Sequence, residues 1–467
     1  MVRKTMDWKM LLSATRLGRE AETMYAANSR SQYDADIDRI LFSGAFRRLA
    51  RKTQVHPMVA NDHVHTRLTH SLEVGQVGKA LGIGVKQFLL SRPELAGVEE
   101  IQHIPSILQA ACLAHDLGNP PSGHAGEESM RYWLETNLKL VAPRLGKLWV
   151  HDLAAVEGNA QGFRMLTQTE NHLFVGGLQL TYATLATFLK YPWTSRHGAK
   201  KFSAYLSEEQ ILRTVADHVG LLEIGAGKWA RHPLAHLVEA ADDICYAVVD
   251  LDDGVELGIL KFDDLIDLFQ PLFEELEWEG LKKEFLLNDS FRVNLARLRG
   301  GIFDKLVHAA LEAFTKGYGD IMAGRVSKDI IQTFLDPNDP RARIIEAAKA
   351  LARDRVFADS RKVEIEIGSF AVFNTLLEAF CDSAVSKADF LMASSTRDKP
   401  SWKADLILKF LGNHAPNDHN GPLPGSKWNE YQCLRRVLDF ICGMTDNYAT
   451  FVAKQINGSG YSGLQRP

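Results

Sequence analysis

Residues 113–127 read LAHDLGNPPSGHAGE, an apolar helical run that ends in the adjacent pair His115-Asp116 and then turns sharply at Gly118-Asn119-Pro120-Pro121. A nitrogen and an oxygen ligand are thereby held on one rigid backbone corner, which is half of a metal site. The other half is expected from upstream, where RLTHSLEV places His70 in the first turn of a second amphipathic segment, and from downstream, where LVEAADDICYAVVDLDDG supplies Asp242. His56, His63 and His65 stand in the loop before His70, and spacing alone does not choose among the four. His70 is favoured because a ring beside a helix is held rigidly. Past the turn, His124 and Glu127 lie three apart in the opening of another helix, so they share a face and can hydrogen-bond. A carboxylate beside an imidazole fixes its tautomer and raises its basicity, which makes a proton-handling pair.

Working outward, the spacing predicts a helix from Pro105 to Leu117 ended by Gly118, and another from Ser71 carrying Leu72, Val77, Leu81, Val85 and Phe88 inward. A further helix is predicted over IDRILFSGAFRRLARKTQ (37–54), capped by Asp36 or Asp38, with Arg47, Arg48, Arg51 and Lys52 on its solvated face. In the segment that contains Asp242, Tyr246 and Asp250 follow at i+4 and i+8, stacking carboxylate, phenol and carboxylate along one face while Ile244, Ala247, Val248 and Leu251 cover the other. DLDDGVE does not fit a calcium loop, because its carboxylates miss the required positions. Lys190, Arg196, Lys200 and Lys201 surround Tyr191 and Trp193 in a basic cluster of the kind that compensates polyphosphate charge.

Beyond Gly258 the chain reads as helix after helix, with one exception. KVEIEIG (362–368) alternates Val363, Ile365 and Ile367, which predicts a short strand, half of a hairpin. No internal repeat or low-complexity linker interrupts the 467 residues, only a polar loop at GNHAPNDHNGPLPGSKW. The expectation is an all-α chain with at most a small β-hairpin, forming a single large domain over 1–467, with the metal-binding core at about 40–260 and a helical C-terminal part at 261–467.

Charged residues make up 24%, the hydrophobic set 46%, and the net charge is −4, so the chain lacks the basic balance of a dedicated nucleic-acid binder. No apolar run reaches a membrane span and the start carries no signal-peptide pattern, so a cytoplasmic, non-membrane protein is expected. The cysteines, Cys112, Cys245, Cys381, Cys433 and Cys442, are odd in number and never paired as C-x-x-C, which indicates neither a disulfide framework nor a thiolate zinc site.

Two imidazoles and two carboxylates suit a divalent ion such as Mn, Mg, Fe, Co, Ni or Zn, with softness selecting none of them. The ordered pattern His70, His115-Asp116, Asp242, together with SGAFRRLARKTQVHP, HTRLTHSLEV, LAHDLGNPPSGHAGE, EGNAQGFR, KYPW and DDICYAVVD, resembles the bacterial dGTP triphosphohydrolase (Dgt-like) branch of the HD-domain phosphohydrolases. That resemblance runs from MDWKMLLS to ICGMTDNYA and implies a mostly helical HD-domain fold. It implies hydrolysis of a dNTP, dGTP first among them, by water attack at the α-phosphorus, giving deoxynucleoside and tripolyphosphate. His70, His115, Asp116 and Asp242 would then bind the metal, and His124 supported by Glu127 would be catalytic. Arg67 would meet the α-phosphate, while Lys190, Tyr191 and Lys201 would hold the other phosphates. Gln54 and Asp250 would bind the sugar 3'-OH, and Tyr246 would leave no room for a 2'-OH. The resemblance further implies a homo-oligomer, hexameric or dimer-based, and, as in some of that branch, a nucleotide activator, while the basic faces around Arg47 and Arg435 are compatible with single-stranded DNA as an effector.

Overall fold

In the computed structural model, which describes residues 5–21, 30–55, 61–171, 174–286, 290–392, 400–416 and 428–459, the chain is helical with one small antiparallel hairpin. One continuous body of buried apolar side chains runs from Met6 to Ala453, and all five cysteines are buried in the core.

The centre is a pair of helices, Arg67–Leu90 and Ile104–Ala114. The first begins with a reciprocal cap, in which the Thr66 and Thr69 hydroxyls each accept the other's backbone N–H at 3.3 and 2.9 Å. His70 therefore sits within the first turn, and the helix starts four residues before the predicted Ser71. The second ends at Ala114, so His115 caps it and the His115-Asp116 pair leaves the helix just as the backbone turns. Glycine faces the contact between the two helices, and a larger residue would not fit there. A Cβ added at Gly78 would come within 2.4 Å of Cys112 Sγ, and one at Gly82 within 2.6 Å of the Pro105 backbone. The helix Ala235–Glu256 crosses this pair and brings Asp242 to it.

Four local expectations are corrected. The 37–54 segment is not one helix: Gln32–Leu41 ends at Phe42, and Ser43 recaps a short helix Gly44–Arg48, its hydroxyl accepting Phe46 N–H at 3.1 Å. Ser31, not Asp36 or Asp38, caps the first piece, because Asp36 is buried against Arg16 at 2.7 Å and Thr181 at 2.6 Å. Lys52, expected on a solvated face, is 2% exposed.

The fourth correction concerns KVEIEIG, which lies inside the long helix Ser360–Met392. Val363 and Ile367 are one turn apart on the exposed side, whereas Ile365 points into a cavity. Alternation over five residues reads as a strand, but it is equally what a helix shows when two of the apolar positions face solvent. The hairpin forms elsewhere, between Glu223–Gly225 and Lys228–Trp229. His56 and most of the 412–428 loop fall outside the described residues.

Candidate active site

Three ligand-capable atoms, one each from His70, His115 and Asp242, lie within 4.8 Å of one another. Asp242 Oδ1 stands 3.2 Å from His70 Nε2 and 3.4 Å from His115 Nε2. Bonds of about 2.0–2.2 Å to one ion put neighbouring ligands roughly 3 Å apart, so the spacing fits a single divalent cation. His115 Nδ1 donates to the Cys112 carbonyl at 2.7 Å, which leaves the Nε2 lone pair facing the site. The histidine–carboxylate donor set, with no thiolate, is that of a first-row divalent metal.

Asp116 lies at the edge of this group, its Oδ1 3.7 Å from His115 Nε2. Its other oxygen accepts from Arg67 at 2.6 Å, and Asn119 donates to Oδ1. The electrostatics are those of a cation trap. Burial opposes the imidazolium of His115, but Asp116 and Asp242 outweigh it and raise that group to about 9. Burial likewise opposes the Asp242 carboxylate, yet His115 and His70 hold it well below the usual range.

The group forms the floor of a cavity of about 610 Å³, ample for a nucleotide. Thr53, Gln54 and Val55 form one wall, and the buried side-chain oxygen of Gln54 has no partner. Lys190, Tyr191 and Lys201 form another. Lys190 is 3.3 Å from Glu239, and Lys201 is 2.9 Å from Glu157. Lys200 turns away, its side chain 78% exposed toward Glu128, so of the two adjacent lysines Lys201 reaches the cavity.

His124 faces the cavity from the start of the helix Gly123–Val141. Desolvation in the pocket, then the charges of Arg67 and Lys201, lower it below the ordinary histidine value. Its expected hydrogen bond to Glu127 is not made. The buried Glu127 instead accepts from Gly158 N–H at 2.8 Å and Arg131 at 3.1 Å. Those donors occupy both carboxylate oxygens, and the first ties Glu127 to the start of the helix Gly158–Arg164.

The row on the Asp242 helix also divides. Asp242 and Tyr246 line the cavity, whereas Asp250 does not. Asp250 is 1% exposed, and its Oδ1 has no partner. Burial, then Asp253 and Asp242, push its carboxyl well up. The opposite wall, missed in the sequence, comes from Lys349, Arg353, Phe357, Lys362, Ile365 and Glu366. Lys349 pairs with Asp243 at 3.0 Å, and the Phe357 ring centroid is 6.0 Å from that of Tyr246. The i, i+4 spacing of Lys349 and Arg353 was the available signal, but solvated helix faces carry the same pattern.

The HD domain pattern matches residues 67–157, which include His70, His115-Asp116, His124 and Glu127. A deoxyguanosinetriphosphate triphosphohydrolase-like protein of Pseudomonas aeruginosa is 42% identical, with 97% of this chain and 99% of the relative aligned. A protein of the same description from Synechocystis is 36% identical over 97% and 99% of the two chains. The deoxyguanosinetriphosphate triphosphohydrolase of Yersinia enterocolitica is 27% identical over 95% and 97%.

Proposed function

Because the chain belongs to the deoxyguanosinetriphosphate triphosphohydrolase-like family of HD-domain proteins, we propose that it hydrolyses deoxynucleoside triphosphates, dGTP first among them, releasing deoxynucleoside and intact tripolyphosphate. The observation that carries this reading is the convergence of His70, His115 and Asp242 on the floor of a cavity with cations in two of its walls. A triphosphate carries a dense negative charge, and Lys190 and Lys201 on one side with Lys349, Arg353 and Lys362 on the other are cations it would draw from the carboxylates that pair the lysines, Glu239, Glu157, Asp243 and Glu366.

His70, His115 and Asp242, with Asp116 beside them, would hold a divalent ion. Such an ion supplies Lewis-acid polarisation of a phosphoryl group and acidifies a water. His124, open to the cavity and depressed in pKa, is neutral near pH 7 and fitted to accept a proton as water attacks the α-phosphorus. Arg67, with one face on Asp116, would keep that carboxylate charged and meet the α-phosphate with its remaining edge. Gln54, whose side-chain oxygen is unpartnered, would take the sugar 3'-OH, with Asp250 behind it. Tyr246 would form the ring wall that a 2'-OH collides with.

Supplying the purified protein with each of the four dNTPs, singly and mixed, with Mg or Mn tests the reading. Tripolyphosphate and deoxynucleoside are the expected products; pyrophosphate or orthophosphate alone would replace it with another phosphohydrolase chemistry. Extra turnover in the mixture reads out a nucleotide activator, and the same assay with single-stranded DNA reads that effector. Homo-oligomerisation and a cytoplasmic setting belong to the same proposal. No helix among the described residues is long and apolar enough to cross a membrane.

A further inference from the structure

Asp446 does not line the cavity; it opens the helix Asp446–Ile456, yet that helix is not capped by its side chain. The helix is capped by Thr445, whose hydroxyl accepts Tyr448 N–H at 3.3 Å. Asp446, only 6% exposed, instead directs both oxygens at two loops of the active site. Oδ2 accepts the Thr53 backbone N–H at 2.9 Å and the Thr53 hydroxyl at 2.7 Å. Oδ1 accepts the Ser122 N–H at 2.9 Å. Thr53 precedes Gln54, and Ser122 leads into His124.

A second tie runs parallel to the first. Lys52, 2% exposed, donates to the Asn119 carbonyl at 2.5 Å and to the Cys442 carbonyl at 2.7 Å. Burial pulls its pKa down to about 7, and a neutral amine still carries two hydrogens for those two carbonyls. The Lys52 carbonyl in turn accepts Arg67 N–H at 3.0 Å, and Thr53 bridges to Thr66. The 52–53 segment therefore meets the start of the His70 helix, the loop after Asp116 and the chain's C-terminal turn.

The backbone at this junction is strained. Ser122 has φ 60°, left-handed for a non-glycine residue, and Gly123 follows at φ 55°. A Cβ at Gly123 would meet the Arg67 guanidinium at 2.5 Å. Such a conformation costs of order 1 kcal/mol and persists only when its surroundings hold it. Beside the Gly123 N–H bond to the Pro120 carbonyl at 3.1 Å, the Asp446 carboxylate on Ser122 N–H is the side-chain contact that holds it, at the entrance to the turn bearing His124.

We propose that Asp446 and Lys52 are positioning residues, a clamp between the 442–446 turn and the loops at 52–54 and 119–122 that fixes Gln54 on one wall of the cavity relative to His124 on the other. In catalytic terms the clamp rests on the dNTP hydrolysis proposed above. Neither residue needs to touch substrate.

The test uses the full-length chain with three substitutions: Asp446→Asn, Thr53→Val and Thr53→Ser. Hydrogen exchange, metal affinity and steady-state kinetics on dGTP with Mn are measured for each. Asp446→Asn is expected to raise exchange in the 53–55 and 119–124 segments together, leaving the Arg67–Leu90 and Ile104–Ala114 helices unchanged. It should lower kcat/KM about tenfold or more, the scale of one lost charge-assisted bond, with metal affinity kept. Thr53→Val removes the hydroxyl bond to Asp446 and keeps the backbone N–H one, which weakens the Gln54 arm alone, so KM should rise more than kcat falls, and Thr53→Ser should restore both.

Asp446→Asn protein with wild-type exchange and kinetics overturns the clamp, and so does a loss of turnover that tracks loss of metal affinity. If Asp446→Asn does not fold, the Val and Ser pair at Thr53 decides by the same KM and kcat criterion. If the wild type releases no tripolyphosphate, the proposed function falls, and the paired rise in exchange still decides whether the clamp exists.

Discussion

The guanidinium of Arg67 sits 2.6 Å from the carboxylate of Asp116, so a residue one turn before His70 holds charge on the partner of His115. The two halves of the HD pattern are thus joined before any ion arrives. Removing Arg67 leaves a buried carboxylate without its cation, a change that costs several kcal/mol where partners are truncated. Arg67→Ala is expected to lower kcat/KM by roughly a hundredfold or more, and Arg67→Lys by less. Kinetics on both variants check it, and equal effects would mean that the forked geometry is irrelevant.

Asp242 faces both imidazoles, so Asp242→Ala should abolish measurable metal binding and reduce turnover by roughly a thousandfold or more. Asp116→Ala should also lose metal while the protein stays folded. Calorimetric titration with Mn beside a circular-dichroism melt separates the two effects. Activity surviving in Asp242→Ala would remove the metal site.

Glu127 bonds Gly158 and Arg131 rather than His124. Glu127→Gln should therefore lower the melting temperature and leave the pH at which His124 titrates unmoved. His124→Ala should remove most of kcat with metal affinity intact. The pH–kcat profile of Glu127→Gln distinguishes this from a coupled pair, which would move the acid limb.

Tyr246 and Arg353 predict a division of labour in the cavity. Tyr246→Ala should relax rejection of GTP by about tenfold or more, as expected when a steric wall is cut away. Arg353→Ala should raise KM for dNTPs about tenfold with little change in that selectivity, and the effect should shrink at high salt. Competition between dGTP and GTP at two ionic strengths measures both.

His65 supplies a pH dependence away from the ligands. Burial opposes its charge, but Asp253 at 2.7 Å and Glu73 at 3.3 Å outweigh burial and raise it to about 10. An unfolded histidine titrates near 6.5. Stability from this group is therefore complete below about pH 6.5 and is lost as pH climbs to about 10. The melting temperature of the wild type should fall across that interval, and His65→Gln should flatten the slope.

The floor of the site was legible in the sequence because its ligands are tied to short, unusual phrases. His115 and Asp116 are adjacent at a helix end, and His70 lies in a helix's first turn. The far wall was not legible. Lys349, Arg353 and Lys362 carry the same spacing as any solvated face, and only packing turns them toward the cavity. Ile365 was assigned to a strand because alternation does not distinguish a strand from a helix with apolar residues on two sides. Asp250 shares a face with Asp242, but along a 22-residue helix that face passes from cavity to core. Lys52 read as a surface charge and Asp446 carried no signal, since partners distant along the chain leave no local spacing to read.

The contact at Gly78 and Gly82 has a further meaning for the ion itself. His70 lies in the first turn of one, and His115 caps the other, of the two helices that these glycines allow to touch, so the gap between the imidazoles depends on the interhelical separation as well as on the ligands' own neighbours. A methyl group introduced two turns away would act as a wedge, widening the coordination sphere with every ligand still present. Preference among ions of different radius would then be adjustable from a place that no ion ever visits.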